Sequence, residues 1–500
     1  MEAGKALPVA KETNRPLVLA SVMLAMFMAA VEATIVATAM PSIVGDLGGF
    51  SLFSWVFSVF LLMQAVTIPI YGKLADLYGR KPVFVFGTAV FLLGSLLCGF
   101  ARTMQMLIFF RLVQGLGTGA VQAIATTIVG DIYTLEERAR VQGYLSSVWG
   151  ISSVVGPALG GVMVQYVNWA WVFWLNIPIG VLAVLGITLF LAEKVEKKQH
   201  KIDYLGSALL FVSISSLMVV LIQGGTAWVW SSLPVLVLMA CSVFGLVWFV
   251  VHEGKAAEPM MPLDIWHNRL IFLSNAASLT TGIVLIGISS FLPAFVQGVM
   301  GESPTVAGFT LAMMSIGWPL AAAVAGRLML RFGYRRTALA GGLILCLGAV
   351  FFVMLQPEKG PVWAGVGSFL VGVGMGLATT TFVVAIQSSV EWQTRGAATA
   401  SNMFMRLLGS TLGASLLGGV LNTRMSNYLR SAQGVSISIN VDFANVLLDP
   451  ARRAGLSQNV LAVLETGLSK ALHSVYWGVL IFAAFSLLLI AALPQKSNQT

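Results

Sequence analysis

Glu32 lies in Val31-Glu32-Ala33-Thr34-Ile35-Val36-Ala37-Thr38-Ala39-Met40-Pro41, inside an apolar run long enough to cross a lipid bilayer. A charge at the centre of a membrane helix costs ~2.5–3.5 kcal/mol on insertion scales. No other Asp or Glu falls well inside such a run. A carboxyl there can take up and release a proton, because burial favours its neutral form and a nearby cation its charged form. It can equally be structural, hydrogen-bonded by neighbours or snorkelling to the outer surface. The second intramembrane charge is Arg111. With Gln114, Thr118, Gln122 and Thr126 it recurs at three- and four-residue steps, which places all five on one stripe of a helix. A polar stripe in a membrane needs water or protein partners, so it is expected to line a central cavity. Glu32 and Arg111 each fall about seven residues, ~10 Å, from the outer ends of their segments, a common depth at which they can meet. A purely structural ion pair is the competing reading of Arg111.

Other chemistries find no support. There is no GxxxxGK[ST] phosphate loop, so direct ATP hydrolysis is not expected, and no nucleophile triad or metal-ligand cluster is visible. Cys98, Cys241 and Cys346 occupy separate apolar segments without metal or disulfide spacing, as buried small hydrophobes would. No enzyme activity, cofactor or metal is expected. The net charge of +9 comes without any basic cluster interleaved with aromatics, which argues against nucleic acid.

The elements that must hold these residues are membrane helices. Hydrophobic residues make up 57% of the chain and charged ones 10%, and the mean hydropathy is +0.88; a 500-residue soluble protein would not look like this. Apolar runs of about 20 residues, enough for ~30 Å of hydrocarbon, repeat along the chain. Fourteen are expected, near 16–39, 53–72, 83–100, 104–126, 140–163, 171–191, 203–222, 232–251, 270–296, 304–328, 336–355, 361–386, 395–421 and 473–493. With the termini inside, twenty Lys and Arg lie in cytoplasmic segments and seven in outer ones. That asymmetry follows the positive-inside rule and predicts a multi-pass protein of the cytoplasmic membrane with both termini cytoplasmic.

The turn Gly72-Lys73-Leu74-Ala75-Asp76-Leu77-Tyr78-Gly79-Arg80-Lys81-Pro82 is then cytoplasmic. It resembles, at Gly72, Asp76, Gly79, Arg80 and Lys81, the loop between the second and third helices of the major facilitator superfamily. The glycine spacing recurs at Gly326-Arg327-Leu328-Met329-Leu330-Arg331-Phe332-Gly333-Tyr334-Arg335-Arg336, with Leu330 where Asp76 stands; Gly115, Gly117 and Gly119 recur as Gly372, Gly374 and Gly376. These offsets suggest homologous six-helix halves. The expectation is an all-α membrane protein of the major facilitator fold, with an N-terminal bundle over 1–200, two additional helices over 201–255 and a C-terminal bundle over 256–500. A long outer connection, too polar to span, is expected over 422–472.

The resemblance sharpens to the fourteen-helix drug:proton antiporter branch at Glu32, where that branch usually has Asp, and at Asn402-Met403-Phe404-Met405-Arg406. It implies proton coupling through Glu32 and Arg111, the latter within Arg111, Gln114, Gly115 and Gly117, a motif linked to proton transfer. It also implies a cytoplasmic gate of Gly72, Asp76, Gly79, Arg80 and Lys81 with Asp131 paired to Arg80; a solvated surface charge is the other reading of Asp131. Gly150, Gly156, Pro157, Gly160 and Gly161 resemble the exporter motif of the fifth helix and suggest a packing hinge between the halves. Gln114, Thr118, Gln122, Asn275 and Arg406 are expected to line the substrate cavity.

Together these features predict a proton-coupled exporter of small amphiphilic compounds, a multidrug efflux antiporter working by alternating access and acting as a monomer. Its partners are the substrate, protons and the lipid bilayer. A dedicated exporter of one metabolite, lipid or natural product, or a receptor or scaffold on the same fold, are the alternatives. One intramembrane carboxylate points to monovalent cationic or neutral substrates rather than dications.

Overall fold

The computed structural model describes residues 13–133, 135–193, 203–224, 228–256, 259, 263–390, 395–431, 445–448, 453 and 455–494. Among these, fourteen helices are long and apolar enough to cross a membrane. They are α1 (Arg15–Leu47), α2 (Phe53–Tyr78), α3 (Arg80–Gly99), α4 (Met104–Ile132), α5 (Leu135–Tyr166), α6 (Asn176–Phe190, after a single turn Trp171–Trp174) and α7 (Tyr204–Gln223). Then follow α8 (Leu233–Glu253), α9 (Arg269–Ala294), α10 (Pro304–Phe332), α11 (Tyr334–Val353), α12 (Gly360–Ser388), α13 (Arg395–Ser431) and α14 (Gln458–Ala491).

Helix starts follow the capping chemistry of the sequence. Asn14, Thr103, Asp203, Asn268 and Ser303 each accept a first-turn amide with a side-chain oxygen, satisfying donors that no helix can satisfy internally. Pro16 and Pro304 fill first-turn positions that need no amide hydrogen. Two expectations change here. First, α1 does not end near residue 39; it runs through Pro41 to Leu47, so counting from its outer end misplaced Glu32, whereas Arg111 stands seven residues from Met104. Second, α13 extends to Ser431 and α14 begins at Gln458, so much of the stretch 422–472 is helix rather than loop. Its apolar piece, Asn445–Leu448, is a helical turn with Leu447 and Leu448 buried.

The packing repeats. In the first six helices α1 meets α5 and α6, α4 meets α2 and α3, and α3 meets α6. In the last six, α9 meets α13 and α14, α12 meets α10 and α11, and α11 meets α14. The two sets are the same pattern eight helices apart. They join through two equivalent pairs, α5 with α10 and α13 with α2, and through α1 with α9. Helix α7 packs on α2 and α13, and α8 packs on α7 with most of its surface outward.

The chain's described ends, residues 13 and 494, lie at one end of the bundle. At the far end an apolar core spans both halves: Phe53 stacks on Phe291 at 5.7 Å between centroids, and Ile35, Val44 and Phe57 share the cluster with Leu311, Leu417 and Leu464. Hydrogen bonds between halves gather toward that end. Gln297 donates to the Thr38 carbonyl (3.1 Å) and Asn422 to the Ser51 carbonyl (2.7 Å); Ser415 donates to the Ser58 hydroxyl (3.1 Å), and Thr305 donates to Gln165.

Candidate functional site

The two intramembrane charges of the first half meet. Glu32 of α1 is 0% exposed and Arg111 of α4 is 2% exposed, and the guanidinium Nη1 donates to Glu32 Oε1. The same nitrogen donates to Gln114 Oε1 (2.7 Å), and Arg111 Nε donates to the Val56 carbonyl on α2 (3.3 Å). Phe60 of α2 presents its ring 3.9 Å from the guanidinium carbon. The second carboxylate oxygen accepts from Asn176 Nδ2 on α6 (2.6 Å). Ser95 Oγ on α3 then accepts from both Asn176 (3.2 Å) and Gln114 Nε2 (2.7 Å). Five helices thus converge on one ion pair. Burying two charges is costly unless hydrogen bonds offset it, and here both carboxylate oxygens and the guanidinium Nε and Nη1 have partners.

Close helix contact makes the convergence possible. A Cβ on Gly94 would stand 2.4 Å from the backbone nitrogen of Gln114, so α3 and α4 approach near van der Waals limits where Ser95 must reach Gln114. Asn176 was missed in the sequence because an amide at the start of a helix carries no periodic signal; only the packing of α6 on α1 brings it to Glu32.

The residues expected to line a cavity divide. Gln114 and Thr118 are buried inside the first half in this conformation: the Gln114 amide is held between Arg111 and Ser95, and the Thr118 hydroxyl donates to the Gln114 carbonyl (3.0 Å). Asn275 is sealed too. It donates to Ser401 Oγ (3.0 Å) and accepts from Asn402 (3.0 Å), which also donates to Ser278 Oγ (2.8 Å), a polar clamp between α9 and α13. Gln122 and Arg406 are half-buried. The side chain of Thr126, on the same stripe, lies outside the described residues.

The segment Gly72–Pro82 is less of a loop than its charges suggested. Helix α2 runs through Gly72 to Tyr78 and α3 starts at Arg80, so the reversal rests on Gly79 at φ +94°. Around Gly72 a Cβ would meet nothing within 4 Å, so no close approach demands glycine there. Gly333 at φ +81° and Gly326, with open space, repeat this arrangement in the second half. The side chain of Asp76 lies outside the described residues. Arg80 Nε pairs with Asp131 Oδ2 (3.0 Å), and its Nη1 donates to the Ala75 carbonyl (2.9 Å). Lys81 Nζ donates to the Thr188 and Leu191 carbonyls (2.7 and 3.0 Å), closing the end of α6. Glu193 accepts the Arg80 and Lys81 amides (2.6 and 2.9 Å), closing the start of α3. These bonds tie α2, α3, α4 and α6 within one half.

The small residues of α5 face two ways. A Cβ on Gly156 would stand 2.0 Å from Thr34 Oγ1, and one on Gly160 would stand 2.9 Å from the Ile35 carbonyl, both on α1. Gly161 and Gly150 instead face Thr305 and Pro319 of α10, and the Pro157 carbonyl fits against Gly308. Only the second set lies on the seam between halves. Among the described residues no three His, Cys, Asp or Glu side chains gather as a metal site requires.

Two six-helix bundles of matching internal packing, joined along one seam, with a charge pair buried in the first, define a secondary-transporter architecture. A model of the Major Facilitator Superfamily matches residues 22–414. The chain belongs to that superfamily. It is 33% identical to "Multidrug transporter protein MdtP" of Bacillus subtilis, covering 95% of this chain and 92% of that one. It is 35% identical to "Multidrug resistance protein 3" of the same organism, covering 96% and 95%. Among solved structures, a bacterial homologue of the human lysosomal transporter Spinster, in an inward-facing and unoccupied conformation, superposes with a TM-score of 0.69 over 96% of this chain and 97% of that one, at 16% identity. This is a multi-pass membrane transporter of small molecules.

Proposed function

We propose that this transporter is a proton-coupled exporter of small amphiphilic compounds in the cytoplasmic membrane, exchanging substrate for protons by alternating access. The observation that carries the reading is the Glu32–Arg111 pair, sealed at mid-bundle with Asn176 on the free carboxylate oxygen. A carboxyl so placed cannot exchange its proton with water until the helices around it part. That gives proton transfer and conformational change a common step. Multidrug-named relatives at 33% and 35% identity, and one named as an efflux pump at 31%, support the export direction. With the termini in the cytoplasm, the sealed far end is the outer one, and substrate loads from the inside.

In this mechanism, opening to the outside lets Glu32 take up a proton, which loosens its hold on Arg111. Closure of the outer end then carries the proton inward, and its release accompanies substrate loading. Gly150, Pro157 and Gly161 on the seam let α5 shift against α10, while Gly156 and Gly160 keep it bound to α1. Gly72, Asp76, Gly79, Arg80, Lys81 and Asp131 gate the inner end.

The test is substrate-induced proton release from purified protein, run beside pH-gradient-driven uptake into inverted vesicles. Glu32→Gln, which mimics the protonated form without a removable proton, is expected to abolish both while downhill exchange partly survives. Glu32→Asp is expected to keep some coupling. Wild-type proton release and uptake in the Gln variant would remove Glu32 from the mechanism.

A further inference from the structure

Arg406 stands in the opposite situation to Arg111. Its guanidinium makes no hydrogen bond and no ion pair among the described residues; its described side-chain contact is the indole of Trp318, 5.7 Å from the guanidinium carbon to the ring centroid. Its depth is set by Gly282, halfway along α9, where a Cβ would stand 2.1 Å from the Arg406 carbonyl oxygen. The side chain is therefore near the middle of the membrane. It reaches from α13 toward α10, helices that flank α9 without extended contact with one another, so it points into the bundle.

The face of α13 supports the same direction. Asn402, Gly409 and Gly413 meet α9, while Ser415 and Gly418 meet α2. At 100° per residue, Arg406 and Met403 fall on the arc between those two sides, toward the space the halves enclose. Met403 is 54% exposed there. A cation without a counter-charge in a low-dielectric interior is costly, so this arc favours whatever brings a negative charge to it. The planar fork of arginine binds carboxylates and similar groups through paired hydrogen bonds. The indole offers a flat face, and methionine an adaptable apolar wall.

We infer that Arg406, Trp318 and Met403 form a substrate subsite for an anionic head group (carboxylate, sulfonate or phenolate) joined to a flat apolar body. This rests on the exporter reading and reverses its charge preference. Glu32, the carboxylate that would have selected cations, is committed to Arg111, and among the described residues the intramembrane charge of Arg406 has no counter-charge.

The experiment uses the purified full chain in detergent and three probes sharing one ring system: 1-pyrenebutyrate, its methyl ester and the trimethylammonium analogue. Binding is followed by fluorescence anisotropy. Wild type is expected to bind the carboxylate about tenfold or more tighter than the ammonium, the effect of one charge-assisted hydrogen-bonded pair. Arg406→Gln should erase that preference while keeping ester affinity within about twofold, which also shows that the site is folded. Arg406→Lys should retain part of the preference, and Trp318→Ala should weaken all three probes. Equal binding of the three by wild type, a preference for the ammonium, or unchanged carboxylate binding in Arg406→Gln would overturn the subsite. Loss of pH-driven uptake with the binding pattern intact would instead overturn the exporter reading and uphold the subsite.

Discussion

A carboxylate and a guanidinium in a dry helical interior hold each other strongly because neither has water to fall back on. Removing one leaves the other charged and buried, at a cost of ~3–5 kcal/mol, whereas replacing both with apolar groups of similar volume can be nearly neutral. Arg111→Ala is therefore expected to lower thermal stability in detergent more than the double variant Glu32→Leu with Arg111→Met. A double variant that loses the sum of two separate defects would mean that the residues act independently. Neighbouring amides hold the pair in place: Asn176 donates to Oε2, and Gln114 joins the guanidinium to Ser95. Any step that frees the carboxyl must disturb contacts on α3, α4 and α6 together.

At the scale of the element, the two glycines of the charged segment separate by geometry. Gly79, at φ +94° and ψ +157°, holds a positive-φ extended conformation open essentially to glycine alone, which costs other residues ~1–3 kcal/mol, so Gly79→Ala should be destabilising. Gly72 is inside α2 with open space beside it, and Gly72→Ala should gain about 0.5–1 kcal/mol from helix propensity. Thermal melts of the two variants in parallel would settle this, and equal losses would refute the helical assignment of Gly72. Both members of the Arg80–Asp131 pair belong to the first half, so the pair aligns α3 with α4, and locking the halves together takes a partner from the second. Asp76→Asn is expected to reduce transport with insertion intact and to raise labelling of engineered cysteines at the inner end. Unchanged transport and labelling would leave the segment as a topology signal.

For the whole molecule, the seam and the membrane potential supply the tests. Gln165 and Thr305 touch across the halves at the far end. Joining Gln165→Cys to Thr305→Cys with a short bifunctional thiosulfonate should cut transport about tenfold or more, as expected when a barrier step is blocked, and reduction should restore it. Full activity of the crosslinked protein would mean that this end need not open. Voltage reports the charge carried: each elementary charge crossing the membrane contributes ~2.3 kcal/mol per 100 mV. Exchange of one proton for a monovalent cation is electroneutral, for a neutral compound it moves one charge, and for an anion two. Uptake into inverted vesicles at fixed pH gradient should therefore rise most steeply with voltage for the carboxylate probe, and rigid dications should be poor substrates.

The amino-acid sequence alone determined the number of helices, the repeat and the identity of the charged residues, because hydrocarbon tolerates so little polarity that lengths of apolar run and placements of Lys and Arg are nearly forced. Gly79 and Gly333 were legible as paired turn residues from spacing, and both hold a positive φ. What only the tertiary structure decided was which way each polar side chain faces. A stripe on α4 is the same pattern whether it looks into a cavity or into neighbouring helices, and Gln114 and Thr118 turned inward because Ser95 and their own helix satisfy them. Asn275 and Asn402 likewise form a clamp that no periodicity announces. Asn176 joined Glu32 across more than a hundred residues of chain, and Arg406 has no counter-charge among the described residues, since pairing depends on distances through space that a linear order does not contain.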